Sequence, residues 1–185
     1  MVLVGNSMGG MMAAMYTAER PWRVRGLILS NPGGAPVDPA VFERVVGLLT
    51  PTTHAEALAL ARAGSSYQSR LFLHLGARAV LRKMRQPHIR DFLLHATPEE
   101  SLSPADLTRF TMPVWLLTGR DDGVIPDETL AWYRQHLPDH AVVKEVEHFG
   151  HAPMAERPVV FTAELRTCLA QLKEQTVAGL AMARR

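Results

Sequence analysis

Ser7 stands in the stretch Gly5-Asn6-Ser7-Met8-Gly9-Gly10, after a short apolar run, Met1 to Val4, and before a helix-like run, Met11 to Arg20. Gly-x-Ser-x-Gly between a strand and a helix is the pattern of a nucleophile elbow, a sharp turn that lifts a serine hydroxyl clear of the backbone. The flanks of such a turn pass close together, so a side chain at Gly5 or Gly9 is expected to clash. The backbone amide of Met8, at the first turn of the helix, is the expected donor to an oxyanion formed on attack by Ser7. A phosphate-cradling loop is the competing reading. It lacks the Gly-Lys-Ser or Gly-Lys-Thr of a Walker loop, and Gly5-x-x-x-Gly9 is too compact for a dinucleotide fingerprint.

A nucleophilic serine needs a base to take its proton and an acid to orient that base. In parallel sheets such groups gather outside the carboxyl ends of the strands. Asp121 and Asp122 follow the apolar run Met112 to Thr118, and His148 and His151 follow the run Ala141 to Val146. The i, i+3 spacing of the two histidines suggests a metal pair, but no further ligand cluster accompanies it, so no metal is expected. The other histidines, at 54, 74, 88, 95, 136 and 140, carry no partner pattern.

The elements that position these residues follow from the hydrophobic pattern. Met1 to Val4 reads as a strand buried on both faces, which belongs in the middle of a parallel sheet. Met11 to Arg20 is a helix ended by Pro21, and Val24 to Leu29 is a second strand closed by the turn signal Ser30-Asn31-Pro32-Gly33-Gly34. Strand, helix and strand with short joins make a parallel crossover unit. From Gly33 to about Thr111 helical patterns dominate: Asp38-Pro39 and the capping box Thr53-x-x-Glu56 open helices, and a longer helix spans Tyr67 to Met84. That longer helix is rich in arginine, with Arg70, Arg78, Arg82, Lys83 and Arg85 on or just after it. A solvated face is the plainer reading, and contact with anionic lipid or an acidic substrate the sharper one. Strand, helix, strand, loop and a last helix from Glu156 to about Gln175 complete the chain.

The expected division is a core with the nucleophile elbow in 1–32, a helical cap insertion in 33–111, core again with the acid and histidine loops in 112–175 and a flexible tail in 176–185. At 185 residues, 47% hydrophobic and 21% charged, the chain has the composition of a globular domain with a sizeable core. A net charge of +2 is too small to argue for nucleic acid, and no such partner is expected. The single cysteine, Cys168, rules out an internal disulfide and a cysteine-built zinc site, and its apolar helical surroundings read as a buried or half-buried thiol. No apolar run reaches the length of a membrane span, and the start lacks the basic region of a signal peptide. A cytoplasmic enzyme is the default expectation.

Gly5-Asn6-Ser7-Met8-Gly9-Gly10, Gly119-Arg120-Asp121-Asp122-Gly123-Val124-Ile125-Pro126 and Gly150-His151-Ala152-Pro153-Met154-Ala155-Glu156-Arg157-Pro158 together resemble the α/β-hydrolase family. The order Ser, Asp, His along the chain is the family's order. The elbow and the Gly-His-x-Pro run are similar to lipases of the monoacylglycerol type, and also to hydrolases that cleave carbon–carbon bonds in aromatic-degradation products. The resemblance implies a doubly wound α/β fold, a parallel sheet flanked by helices with an inserted helical cap. It implies a Ser7-His151-Asp122 triad working through an acyl-enzyme with no cofactor. The family pattern Gly-x-x-Asp-x-x-x-Pro selects Asp122 over Asp121, and the glycine before it selects His151 over His148.

Ester hydrolysis is the expected reaction on a small-molecule ester or acyl substrate. Phe42, Leu48, Leu49 and Phe72 in the helical region suggest a medium or long acyl chain. Carbon–carbon cleavage beside a ketone is the enzymatic alternative. The family's second oxyanion donor comes from a loop after an earlier strand, and no such segment precedes residue 5. The expectation is therefore a fragment of a longer protein, because the first strand would otherwise be an exposed apolar edge. An inactive remnant that pairs this strand with another chain is the non-enzymatic alternative. The oligomeric state is left open.

Overall fold

The computed structural model describes residues 1–67 and 69–182, with side chains as far as Glu174. Four parallel strands form one sheet in the order β1-β2-β3-β4, with β1 at Val2–Ser7, β2 at Gly26–Pro32, β3 at Val114–Gly119 and β4 at Val142–Val146. Spatial order equals chain order, so each crossover delivers the next strand to the same advancing edge. The carboxyl ends that carry Ser7, the acid loop and the histidine loop consequently lie side by side.

Both faces of the sheet are covered, and alternation along the two inner strands assigns the side chains. Leu27, Leu29, Val114 and Leu116 pack on one face with Ala14 and Ala18 of α1 (Met8–Glu19) and Tyr133. Ile28, Trp115 and Leu117 point the other way, onto Cys168 and Leu172 of the last helix. A buried leucine or isoleucine of this kind contributes about 1.5–3 kcal/mol. Burial pushes the Cys168 thiol up to about 11, because the thiolate would lose its water there.

β1 departs from expectation. Its apolar run predicts burial on both faces, yet Met1, Val2 and Val4 are exposed, because β1 pairs with β2 on one side and has no neighbour on the other among the described residues. The strands buried along their whole length are β2 and β3.

Between β2 and β3 the chain is helical: α2 (Pro39–Leu49), α3 (His54–Ala63), α4 (Arg70–Met84), α5 (Pro87–His95) and the short α6 (Pro104–Leu107). Asp38 caps α2 by accepting from the Ala40 amide at 2.8 Å, and Thr53 with Glu56 forms the capping box of α3. After β3 come α7 (Asp127–His136), β4, the short α8 (Pro153–Glu156) and α9 (Pro158–Met182). α9 thus takes in most of the stretch expected as a flexible tail, while 183–185 lie outside the described residues. Among the described residues no helix is long and apolar enough to cross a membrane.

Candidate active site

Ser7 ends β1 and sits at φ 55° and ψ −124°, a left-handed backbone that a serine adopts only when its surroundings impose it. Glycines make room for the turn here. A Cβ on Gly5 would run into the Gly9 carbonyl, and one on Gly10 would lie 2.8 Å from the Pro32 Cβ. Gly9 itself faces open space, with nothing within 4 Å of a built Cβ, so the expected clash there is corrected: the close approaches are at Gly5 and Gly10. Met8 is the first residue of α1, and its amide therefore has no carbonyl partner within the helix.

Three sequence-predicted side chains meet at this turn. The Ser7 hydroxyl lies 2.8 Å from His151 Nε2, and His151 Nδ1 lies 2.9 Å from Asp122 Oδ2. The carboxylate accepts, so Nδ1 carries the proton and Nε2 is left to accept from Ser7. The Asp122 side chain is fully buried, and its other oxygen accepts from the amides of Val124 at 2.8 Å and Ile125 at 3.3 Å. The carboxylate is thereby fixed in orientation as well as in position. Such an arrangement can deprotonate the serine, hold the imidazolium that forms and return the proton to a leaving group.

The competing residues lie apart. His148 and Asp121 are both exposed and face each other across 3.8 Å at the surface. Among the described residues, no group of three or more His, Cys, Asp or Glu side chains is arranged to hold a metal ion.

Several supports of the site carried no motif. Asn31 is buried at φ 43°, donates from Nδ2 to the Gly150 carbonyl at 2.9 Å, and accepts at Oδ1 from the Gly119 amide at 2.7 Å. One side chain thus joins the end of β2 to both the acid strand and the histidine loop. Asn6 donates to the Ser30 carbonyl at 3.1 Å and to the His151 carbonyl at 2.9 Å. An asparagine in a left-handed turn is the one available signal for Asn31.

The helical segment reaches the same loops through its backbone. The carbonyl of Ala63 accepts from the Gly123 amide at 2.7 Å, and the next carbonyl, of Gly64, accepts from the His151 amide at 2.8 Å. The end of α3 therefore holds the acid loop and the histidine loop at once. Close by, the Glu156 carboxylate accepts from the Ser66 amide at 2.9 Å and hydroxyl at 2.7 Å, and the Tyr67 hydroxyl donates to the Glu156 carbonyl at 2.7 Å.

Ser7 and His151 open onto a cavity of about 770 Å³. Its far walls come from the helical segment, with Leu60, Phe72, Leu73, Val80 and Leu93 among them. Of the four residues expected to favour an acyl chain, Leu49 and Phe72 line this cavity, Phe42 lines a smaller adjoining one of about 140 Å³, and Leu48 lines neither.

Comparison with known proteins agrees with this geometry at the level of family and fold. A pimeloyl-[acyl-carrier protein] methyl ester esterase of Nitrosomonas europaea is 37% identical over 59 residues, which are 32% of this chain and 23% of that protein. The 2-hydroxy-6-oxo-6-phenylhexa-2,4-dienoate hydrolase of Rhodococcus sp. strain RHA1 superimposes with a TM-score of 0.72 at 22% identity, covering 90% of this chain and 63% of its own. A membrane phospholipase A described as a bacterial virulence factor gives 0.73 at 24% identity, covering 94% of this chain and 57% of its own. The chain therefore spans less than two thirds of the length of each of these relatives. A family model described as serine aminopeptidase, S33, matches residues 1–158. With most of its length so matched, the chain belongs to that family of α/β-hydrolases.

Proposed function

We propose that this chain carries the catalytic centre of a serine hydrolase that cleaves carboxylic esters. Ser7 attacks the ester carbonyl while His151 takes its proton. The Met8 amide donates to the oxyanion, and Asp122 holds the imidazolium in place. His151 then protonates the departing alcohol, and water, deprotonated by the same imidazole, releases the acid from Ser7. The helical segment serves as a cap that lines the acyl site.

The observation that carries this reading is the hydrogen-bonded line Ser7-His151-Asp122 opening onto a largely apolar cavity. An acyl chain suits such walls, since each methylene buried there is worth about 0.8 kcal/mol. Carbon–carbon cleavage would use the same three residues, and turnover of an aryl ester against that of a vinylogous diketone separates the two.

The test is fluorophosphonate labelling of the purified chain, read by intact mass beside Ser7→Ala. One adduct, lost in Ser7→Ala, is the expected result. No adduct on a chain that is folded by circular dichroism overturns the reading for this stretch of protein.

A further inference from the structure

We propose that the outer face of α4 is a docking surface for an anionic lipid bilayer, on the helix whose other side lines the cavity. Leu71, Leu75, Arg78, Arg82 and Arg85 stand at i, i+4, i+7, i+11 and i+14, one continuous stripe, and every one of them is exposed. Leu71 is 69% exposed, Leu75 53% and the neighbouring Phe72 65%. The buried side of the helix is a different one, marked by Leu73 and Ala77.

Charge on this helix is one-sided. Arg70 to Met84 contains four cations and no aspartate or glutamate. Among the described residues no carboxylate pairs with Arg70, Arg78, Arg82, Lys83 or Arg85, although Arg85 donates to the Thr52 carbonyl. The whole chain carries a net charge of only +2, so this is a local concentration of positive charge and not a general property.

A solvated face explains the arginines but not two leucines, Leu71 and Leu75, held out in water beside them. An acidic protein or a nucleic acid would meet the cations and leave Leu71 and Leu75 wet. A bilayer surface takes both: phosphates meet the guanidinium groups and the interfacial region takes the leucines. The cavity supports this choice, because Phe72, Ala79 and Lys83 of the same helix line it together with Ser7.

Vesicle co-sedimentation of the Ser7→Ala chain tests this without hydrolysis of the lipid, so the outcome is independent of the activity proposed above. The vesicles are phosphatidylcholine alone and an equal mixture with phosphatidylglycerol. The expected result is strong pelleting with the mixture, weak pelleting with phosphatidylcholine, and release by salt. Arg78→Gln with Arg82→Gln, which line no part of the cavity, should lower partition onto the mixed vesicles about thirty-fold. Leu71→Ser with Leu75→Ser should lower it about ten-fold at every salt concentration. Circular dichroism confirms that each double variant is folded, and the single Arg78→Gln replaces any that is not. Equal pelleting with both vesicles, variants that pellet like the parent, or retention on heparin without vesicle binding would each overturn the proposal.

Discussion

Two aspartate–histidine pairs lie within a few residues of each other and share nothing but composition. Asp122 and His151 are 2.9 Å apart, with the carboxylate fully buried and bonded to two further amides. Asp121 and His148 are 3.8 Å apart, with the imidazole 74% exposed. One step along the acid loop and three along the histidine loop take each residue type from a fixed site to a solvated surface. In water the outer pair competes with solvent and salt, and its energy is small. Inside, the same two groups keep their orientation, and orientation is what the proposed proton transfer requires.

Replacing the inner acid should break this contrast most visibly. Asp122→Asn is expected to lower kcat by about 10⁴-fold, because the amide no longer fixes the imidazole tautomer. Asp121→Asn should leave turnover within about two-fold. Esterase assays on the two variants side by side decide it, and equal losses would dissolve the distinction.

Gly64→Ala sharpens the comparison by disturbing the inner pair from outside the core. A Cβ there lies 3.3 Å from the His151 Cβ and 3.3 Å from Val124 Cγ2, so the loops must shift by tenths of an ångström. The expected cost is about ten-fold in kcat, with a smaller change in KM. Steady-state kinetics with unchanged thermal stability would tie the loss to misplacement.

Asn31→Ala leaves the Gly119 amide and the Gly150 carbonyl without their buried partner. Stability should fall by about 1–3 kcal/mol, read as a lower urea midpoint at constant m. The smallest effect belongs to the outer pair itself. A double-mutant cycle on Asp121 and His148 should give a coupling of no more than about 0.5 kcal/mol, and a value several times larger would mean that the pair is held more firmly than its exposure implies.

What the sequence made legible has a physical pattern. Ser7, Asp122 and His151 were readable because each sits in a loop whose glycines and prolines are dictated by turn geometry. The inner strands β2 and β3 were readable as unbroken apolar runs. β1 misled for the same reason, since an apolar run reports the faces a strand can bury and not whether a neighbour covers them. Gly9 was given the clash that belongs to Gly10, because which glycine meets Pro32 depends on how α1 packs against the end of β2. Asn31 was read as ordinary turn chemistry. The carbonyls of Ala63 and Gly64 were invisible in principle, since every residue carries the same acceptor and position alone makes these two matter.

Those two carbonyls also limit how the protein can be rebuilt. A chimaera that exchanged 33–111 for another helical insertion would bring new cavity walls, and would also remove the acceptors for the Gly123 and His151 amides. The graft would be modular only if its second helix stopped at the same place and presented two consecutive carbonyls to the same loops. The cavity walls and the supports of the acid and histidine loops are thus inherited as one block in this molecule, and a library that varies the wall residues while keeping 63 and 64 in place would reshape the cavity without disturbing those loops.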